Sequence, residues 1–389
     1  MSGGLHSHGR DEVVAAQGGT GSGAPIAGIE GIASIEDRIA GSGVRVQSID
    51  VLRGLAIVAV IGLHMSWTML EPLALLHAET WPVILLHLAC IVGAPMFLAM
   101  SAAAMSLRYR EPFGGWAAYL DFVRRRALRL LPAYVVWSIV TAIYTDPALV
   151  ARPGRVVSLL VNGSADAQLY FVPMLFELYV LWPLLRPLAQ RARQPMGAAI
   201  VVAIGLAVSM AGWAAHLQRT GTPFILFFVF VCAGMGLAPM LASERRRAGA
   251  ALAGTAAAAM ALAAFHQRFF AMIAGDPTYE AARWASTIFQ LPATAYILLF
   301  IGAAAAAAPY TIGTAAGSVM ATLGRSSYGV FLCHLMLARL LVFPFLDTIA
   351  GTFSPIAGVV VVSTVVLVIS YAFTRLLTLS ARTAWIVGE

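Results

Sequence analysis

Two side chains that are costly in a lipid bilayer occur together in the first long apolar run of the chain. In the stretch DVLRGLAIVAVIGLH, Arg53 and His64 are separated by eleven positions. A helix turns about 100° and rises about 1.5 Å per residue, so the two side chains share one face about 16 Å apart. Asp50 and Glu71 return to that face at its two ends. Because this stripe would cost several kcal/mol if it faced lipid, it is predicted to face a protein interior or a water-filled path.

His64 is the natural candidate for chemistry in this stripe. A neutral imidazole at pH 7 can take the proton of an attacking hydroxyl as a general base. The same ring could instead accept an acyl group and pass it on, and the residues alone do not separate the two routes. The structural alternative is a buried histidine bonded to a neighbouring helix, with Arg53 reaching the headgroups. The alignment of four residues on one face favours a function for both.

A carboxylate in a later apolar run is a second candidate. Glu177 has apolar neighbours on both sides, and an intramembrane carboxylate indicates a functional site. We predict that it orients His64 or an acceptor hydroxyl. Tyr179, two residues later, is either a functional residue or an interfacial or packing aromatic.

A cluster of arginines before the third apolar run could bind phosphate groups. Guanidinium groups make bidentate contacts with phosphates, so four of them in a short segment suit a phosphorylated ligand. The alternative is an ordinary basic loop beside a membrane. The candidates are Arg124, Arg125, Arg126 and Arg129.

The elements that must position these residues are membrane-spanning helices. Of the 389 residues, 60% are hydrophobic and 11% are charged, and the mean hydropathy is +0.83. Ten apolar runs are long enough to cross a bilayer, so the sequence predicts an all-α polytopic membrane protein with about ten transmembrane helices. The predicted spans lie near 51–70, 83–106, 127–145, 169–188, 197–216, 222–241, 248–266, 285–308, 319–343 and 355–377.

The distribution of arginine predicts the orientation of these spans. All 25 basic residues are arginine. If the N-terminus is cytoplasmic, nineteen of them fall on the cytoplasmic side, five on the other side, and Arg339 lies within a span. The positive-inside rule therefore predicts that both termini are cytoplasmic. Because these arginines flank a lipid bilayer, no nucleic-acid partner is predicted.

The sequence predicts two parts and excludes several chemistries. Residues 1–48 are rich in Gly, Ala and Ser and are predicted to form a disordered cytoplasmic tail, whereas 49–389 form one ten-helix membrane domain. The absence of lysine excludes a Schiff base, and without HxxxH or GxSxG patterns neither a metal site nor a serine hydrolase is predicted. No role is predicted for four histidines near span ends or in loops: His77, His87, His216 and His266.

Several segments, taken in order, resemble the membrane-bound acyltransferase-3 family of integral membrane O-acyltransferases. The spacing of Arg53 and His64 resembles the hallmark of its first span. GAPMFLAMSAAAMSLRYR resembles the second span with its basic exit. FVRRRALRLLPAYVVW resembles the basic loop that leads into a Pro-x-Tyr helix, where Arg126 and Arg129 fit a paired-arginine motif. The likeness covers about residues 48–378.

Two late segments extend the resemblance, and two positions depart from it. YFVPMLFELYVLWPLL resembles the fourth span, and LGRSSYGVFLCHLML resembles a late Ser-Tyr…His span, so that His334 matches the family's late histidine. Ser101 is followed by Ala102 where the family often has glycine, and Tyr170-Phe171 stands where Trp-Phe is common. Ser101 and His334 are therefore further candidate site residues, with a structural hydrogen bond as the alternative for His334.

The resemblance implies a reaction, a location and partners. The expected co-substrate is a cytoplasmic acyl-CoA, with acetyl-CoA as the expected form, whose phosphates would bind Arg126 and Arg129. The expected acceptor is a hydroxyl of an extracytoplasmic or membrane-associated glycan or glycolipid, as in polysaccharide O-acetylation. The expected location is the bacterial inner (plasma) membrane. Transfer would finish in the membrane domain or with a separate extracytoplasmic partner protein.

A secondary transporter is the main alternative from another class. It too would place His, Glu and Arg side chains near the middle of ten or so spans. Transporters often show paired broken spans in two repeated halves, and the sequence contains no convincing pair. Turnover of acyl-CoA by the purified protein would separate the two hypotheses.

Overall fold

The computed structural model describes the membrane domain as helices joined by short connections. It covers residues 46–388, apart from 71–79, 149–151, 216–223, 244–246 and 276–286. No strand occurs in these described ranges, so the predicted all-α class is confirmed. The predicted disordered tail lies outside them, except that 46–48 are described and the first helix begins at Gln47.

Ten helical segments of the described chain are long and apolar enough to cross a membrane, as predicted. Their bounds are Gln47–Leu70, Trp81–Arg108, Trp116–Thr145, Phe171–Arg191, Pro195–Ala214, Phe224–Ser243, Ala248–Gln267, Gln290–Thr311, Ser327–Thr352 and Pro355–Thr378. The individual helices are α1 (Gln47–Leu70), α2 (Trp81–Cys90), α3 (Gly93–Arg108), α4 (Trp116–Thr145), α5 (Pro153–Asn162), α6 (Phe171–Arg191), α7 (Pro195–Ala214), α8 (Phe228–Ser243), α9 (Ala248–Gly275), α10 (Thr287–Thr311), α11 (Ala315–Arg325), α12 (Ser327–Leu341), α13 (Leu346–Thr352), α14 (Pro355–Thr378) and α15 (Ala381–Ala384).

The ninth predicted span, 319–343, is two helices in the structure. α11 ends at Arg325, Ser326 forms a turn, and α12 begins at Ser327. The hydroxyl of Ser327 donates to the carbonyl oxygen of Gly324 at 2.8 Å, which satisfies a carbonyl left over at the helix end. Hydropathy averaged over a whole span did not locate this break, because the polar segment 325–327 is short and apolar residues continue beyond it.

α1 lies at the centre of the bundle. It packs against α2, α3, α11, α12 and α14, and 72% of its apolar window is buried, against 11% for the window in α9. Along the described part of its polar stripe, Asp50 is buried and Arg53 and His64 are half-buried. A helix in this position can bring its side chains to several neighbours at once.

The contact between α1 and α11 is close enough to involve backbone. A Cβ atom added at Gly54 would overlap the carbonyl group of Met320, and one added at Gly324 would overlap the carbonyl group of Asp50. Only glycine at these two positions permits such an approach. The part of α1 that carries Arg53 is thus held directly against α11.

Candidate active site

The two predicted histidines meet between α1 and α12. His64 is half-buried in α1, and His334 is fully buried in α12. Their ring centroids are 5.4 Å apart, and the ring planes are inclined by 41°. Neither ring nitrogen of His64 makes a hydrogen bond with another described residue in this structure. The packing of two spans thus brings together residues that are 270 positions apart in the sequence.

His334 is held by its own helix. Its Nδ1 lies 2.8 Å from the carbonyl oxygen of Phe331. Because a carbonyl oxygen only accepts, Nδ1 carries the proton and donates it in this bond. Nε2 is buried and has no hydrogen-bond partner among the described residues.

An ion pair closes the end of the bundle that lies farthest from Arg53. The guanidinium of Arg339 in α12 donates to both carboxylate oxygens of Asp166, at 2.5 and 2.8 Å. The side chain of Asp166 is only 3% exposed, and that of Arg339 is 25% exposed. Both groups are close enough to His334 to act on it electrostatically, and Arg339 also acts on His64. The turn between α5 and α6 is thereby fixed to the helix that carries His334.

Sequence reasoning missed Asp166 and the position of His87. An arginine inside a span needs a counter-ion, and Asp166 lies just before the fourth predicted span, so a signal was present. His87 was given no role, but the structure places it in α2 against α1. Its Nδ1 lies 3.0 Å from the hydroxyl of Ser66 and 3.2 Å from the carbonyl oxygen of Leu63. His77 and His216 lie outside the described residues.

The arginine-rich end of the bundle, where Arg53, Arg108 and Arg191 lie, gathers a second group of site residues. Arg53 is half-buried near the start of α1. Four groups are close enough to act on its guanidinium: Tyr179 of α6, Asp50, and two arginines of α4, Arg126 and Arg129. The structure therefore brings the predicted paired arginines to Arg53 from different helices. Asp50 and Tyr179 are buried members of the same group.

Arg126 points into an aromatic pocket. Its guanidinium carbon lies 5.2 Å from the ring centroid of Tyr179, 5.7 Å from that of Phe122 and 6.0 Å from that of Tyr109. It also donates to the hydroxyl of Tyr109 at 3.1 Å. Cation–π contacts of this kind hold a guanidinium in place.

The other members of the arginine cluster face outward or contact the end of the chain. Arg129 donates to the carbonyl oxygen of Gly388 at 3.4 Å. Arg124 and Arg125 are exposed, and Arg125 pairs with Asp121 one turn earlier on the same helix. The four arginines predicted as one phosphate site thus separate into an inner pair close to Arg53, of which Arg129 is itself exposed, and an outer pair that is also exposed.

A family model described as an acyltransferase domain matches residues 46–375. The chain belongs to this acyltransferase-3 family. The match covers most of the chain and both groups of site residues. It identifies the protein as an acyltransferase, generally a membrane O-acyltransferase, and favours the enzyme over the transporter alternative. With its ten apolar helices, the acyltransferase is a multi-pass membrane protein. No curated protein and no solved structure matches the chain significantly.

Among the described residues, the other predicted candidates Glu177 and Ser101 make no hydrogen bond or ion pair with the histidine pair. Glu177 of the acyltransferase is exposed on α6 and interacts with the backbone of Phe224, and it has no contact with His64 in the described structure. Ser101 is buried in α3. Glu71 lies outside the described residues. No group of three or more His, Cys, Asp or Glu side chains that could hold a metal ion occurs in the described ranges.

We expect the Asp166–Arg339 pair to stabilise the acyltransferase. Replacing Arg339 with Met leaves a carboxylate buried without its cation, which should destabilise the protein by about 3–5 kcal/mol. The double variant with Asp166→Asn should lose less than the sum of the two single changes. Unfolding of the purified protein in detergent measures all three. Additive losses would show that the two side chains are not coupled.

Proposed function

We propose that this acyltransferase takes an acyl group, with acetyl as the expected form, from cytoplasmic acyl-CoA. It transfers that group to a hydroxyl of an extracytoplasmic or membrane-associated glycan. The observation that carries the proposal is the arrangement along α1. Arg53 joins the inner arginines at one end, and about 16 Å further along the helix His64 joins a second histidine. One helix therefore carries both an arginine for the charged end of the donor and a histidine that can act as general base.

The inner arginines suit the nucleotide end of coenzyme A. This part of the donor carries a 3′-phosphate and a diphosphate, and planar guanidinium groups bind such oxygens in pairs. Arg53, Arg126 and Arg129 supply three of these groups at one end of the bundle. The excess of arginine at this end supports a cytoplasmic orientation, which is the side where acyl-CoA is found. The bacterial inner membrane is the location that fits this arrangement.

The reaction follows from the properties of a neutral imidazole. As the acceptor hydroxyl oxygen attacks the thioester carbonyl carbon, one nitrogen of His64 takes the hydroxyl proton. The carbon–sulfur bond then breaks, an ester remains on the acceptor, and the departing thiolate receives the proton from His64. In the relay version His64 first forms an acyl-imidazole and the hydroxyl attacks that species instead. Both versions need His64 within reach of the thioester.

The acceptor would approach from the end closed by Asp166 and Arg339. This end lies across the bundle from the arginines, and the turn between α5 and α6 covers it beside the histidine pair. A glycan or glycolipid is proposed because it offers many hydroxyl groups at a membrane surface. A separate extracytoplasmic protein could deliver it, and the bilayer itself supplies a lipid-linked acceptor.

The test compares the two pairs of arginines on α4. Replacing Arg126 and Arg129 with Gln should weaken donor binding about 10- to 100-fold per residue, because hydrogen bonds to charged groups contribute about 1.5–3 kcal/mol each. The matched variant, Arg124→Gln with Arg125→Gln, removes the same charge from the exposed face and should have a much smaller effect. Calorimetric titration of desulfo-CoA into the detergent-solubilised protein measures both affinities. Equal losses in the two variants would indicate an unspecific basic surface.

A further inference from the structure

His334 has a free acceptor atom that is directed away from solvent. Its Nδ1–H is used by the carbonyl oxygen of Phe331, so in the neutral ring Nε2 holds a lone pair. That atom is buried and makes no hydrogen bond with any described residue. Buried acceptors are normally satisfied, and one that is not suggests a bond formed in another state of the site.

The ring that lies beside it belongs to His64. The centroid separation of 5.4 Å makes the two rings direct neighbours. Catalytic hydrogen bonds are often long without substrate and shorten when substrate is bound. His64 itself has nothing else to orient it, since its ring nitrogens bond to no other described residue.

Two polar groups in this region make their hydrogen bonds elsewhere. Nδ1 of His87 is used by Ser66 and by a backbone carbonyl. Both carboxylate oxygens of Asp166 are used by Arg339. No described carboxylate forms a hydrogen bond with His64, as an aspartate does with the histidine in many histidine-based sites.

We propose that His334 is the positioning residue of His64. Nε2 of His334 accepts a hydrogen bond from one N–H of His64, which fixes the tautomer of His64. The second nitrogen of His64 then presents its lone pair to the acceptor hydroxyl. His334 keeps its own proton on Nδ1 throughout, and the proton taken by His64 goes to the departing thiolate. This inference rests on the proposed function for its substrates, but the pairing of the two rings does not.

The kinetic test uses variants that differ in one acceptor atom. His334→Phe fills the space without an acceptor, and kcat should fall on the order of 10- to 100-fold, with the KM values of donor and acceptor within about twofold. His334→Gln places an amide oxygen there and should restore much of kcat. His87→Gln is the matched control and should stay within about threefold of the wild type. Equal kcat values for the Phe and Gln variants would overturn the proposal.

The spectroscopic test does not depend on turnover. Nitrogen NMR of ¹⁵N-histidine-labelled protein saturated with desulfo-CoA, with His64 assigned by its loss in His64→Gln, reports which nitrogen carries the proton. We expect a single tautomer for His64 in the wild type and a mixture in His334→Phe, or in His334→Leu if the larger ring does not fold. A mixture already in the wild type would overturn the proposal. A single tautomer in a protein that transfers no acyl group would instead refute the proposed function alone.

Discussion

Replacing His64 with alanine should reduce acyl transfer by a factor on the order of 10² to 10⁴, the usual contribution of a general base. In the relay version, which needs the same nitrogen as nucleophile, transfer should disappear. The protein should still insert, since removing a polar group from a span does not hinder insertion. Transfer of radiolabelled acyl groups from acyl-CoA to membrane glycan, measured at equal protein level, gives the result.

Thr68→Ala is the matched control for this experiment. Thr68 lies one turn along α1, and its hydroxyl donates to the carbonyl oxygen of His64 at 3.0 Å. Its loss changes the same helix without touching the imidazole, so transfer should stay near the wild-type rate. If His64→Ala retained that rate as well, the histidine would have no part in the chemistry.

Arg53→Ala should have the second-largest effect, and the effect should depend on the donor. With acyl-CoA, kcat/KM should fall roughly 10- to 100-fold, because a charge-assisted contact with phosphate is lost. With acyl-pantetheine, which lacks the nucleotide, the fall should be much smaller. Arg53→Lys should recover only part of the loss, since an ammonium lacks the planar fork of a guanidinium.

Arg325→Ala is the control for Arg53. Arg325 lies at the same end of the bundle but is exposed, and its guanidinium donates to the hydroxyl of Thr322 at 2.8 Å. Its removal should leave kcat/KM for both donors nearly unchanged. An Arg53→Ala variant with equal losses on acyl-CoA and acyl-pantetheine would show that the arginine supports the fold instead of the phosphates.

Local patterns in the sequence predicted the helices and the shared face of Arg53 and His64. Both depend on properties of a single segment, namely its hydropathy and the helical repeat of 3.6 residues. The break between α11 and α12 was missed, because a backbone contact with α1 and a serine hydroxyl decide it. A hydropathy average over a segment contains no information on either of these interactions.

Contacts between distant segments account for most of what sequence reasoning missed. Asp166 meets Arg339 across 173 positions, and only packing reveals that pair. The apolar neighbours of Glu177 along the chain gave no information on which side of α6 it lies. The sequence likewise could not separate Arg124 and Arg125 from Arg126. All three carry the same charge, and only the structure shows that the first two are exposed and the third is half-buried.

The backbone contacts of Gly54 and Gly324 have a consequence for donor selection. With α1 pressed against α11, the first helix can neither slide nor rotate there without breaking contacts that have no spare room. The interval between Arg53 and His64, about 16 Å, is set by the helix itself, and the contact with α11 keeps this part of α1 in place. Under the proposed function, a donor whose flexible arm is shorter than this interval would not bind its phosphates and present its thioester at once. We therefore expect donors to be selected by the length of that arm as well as by charge.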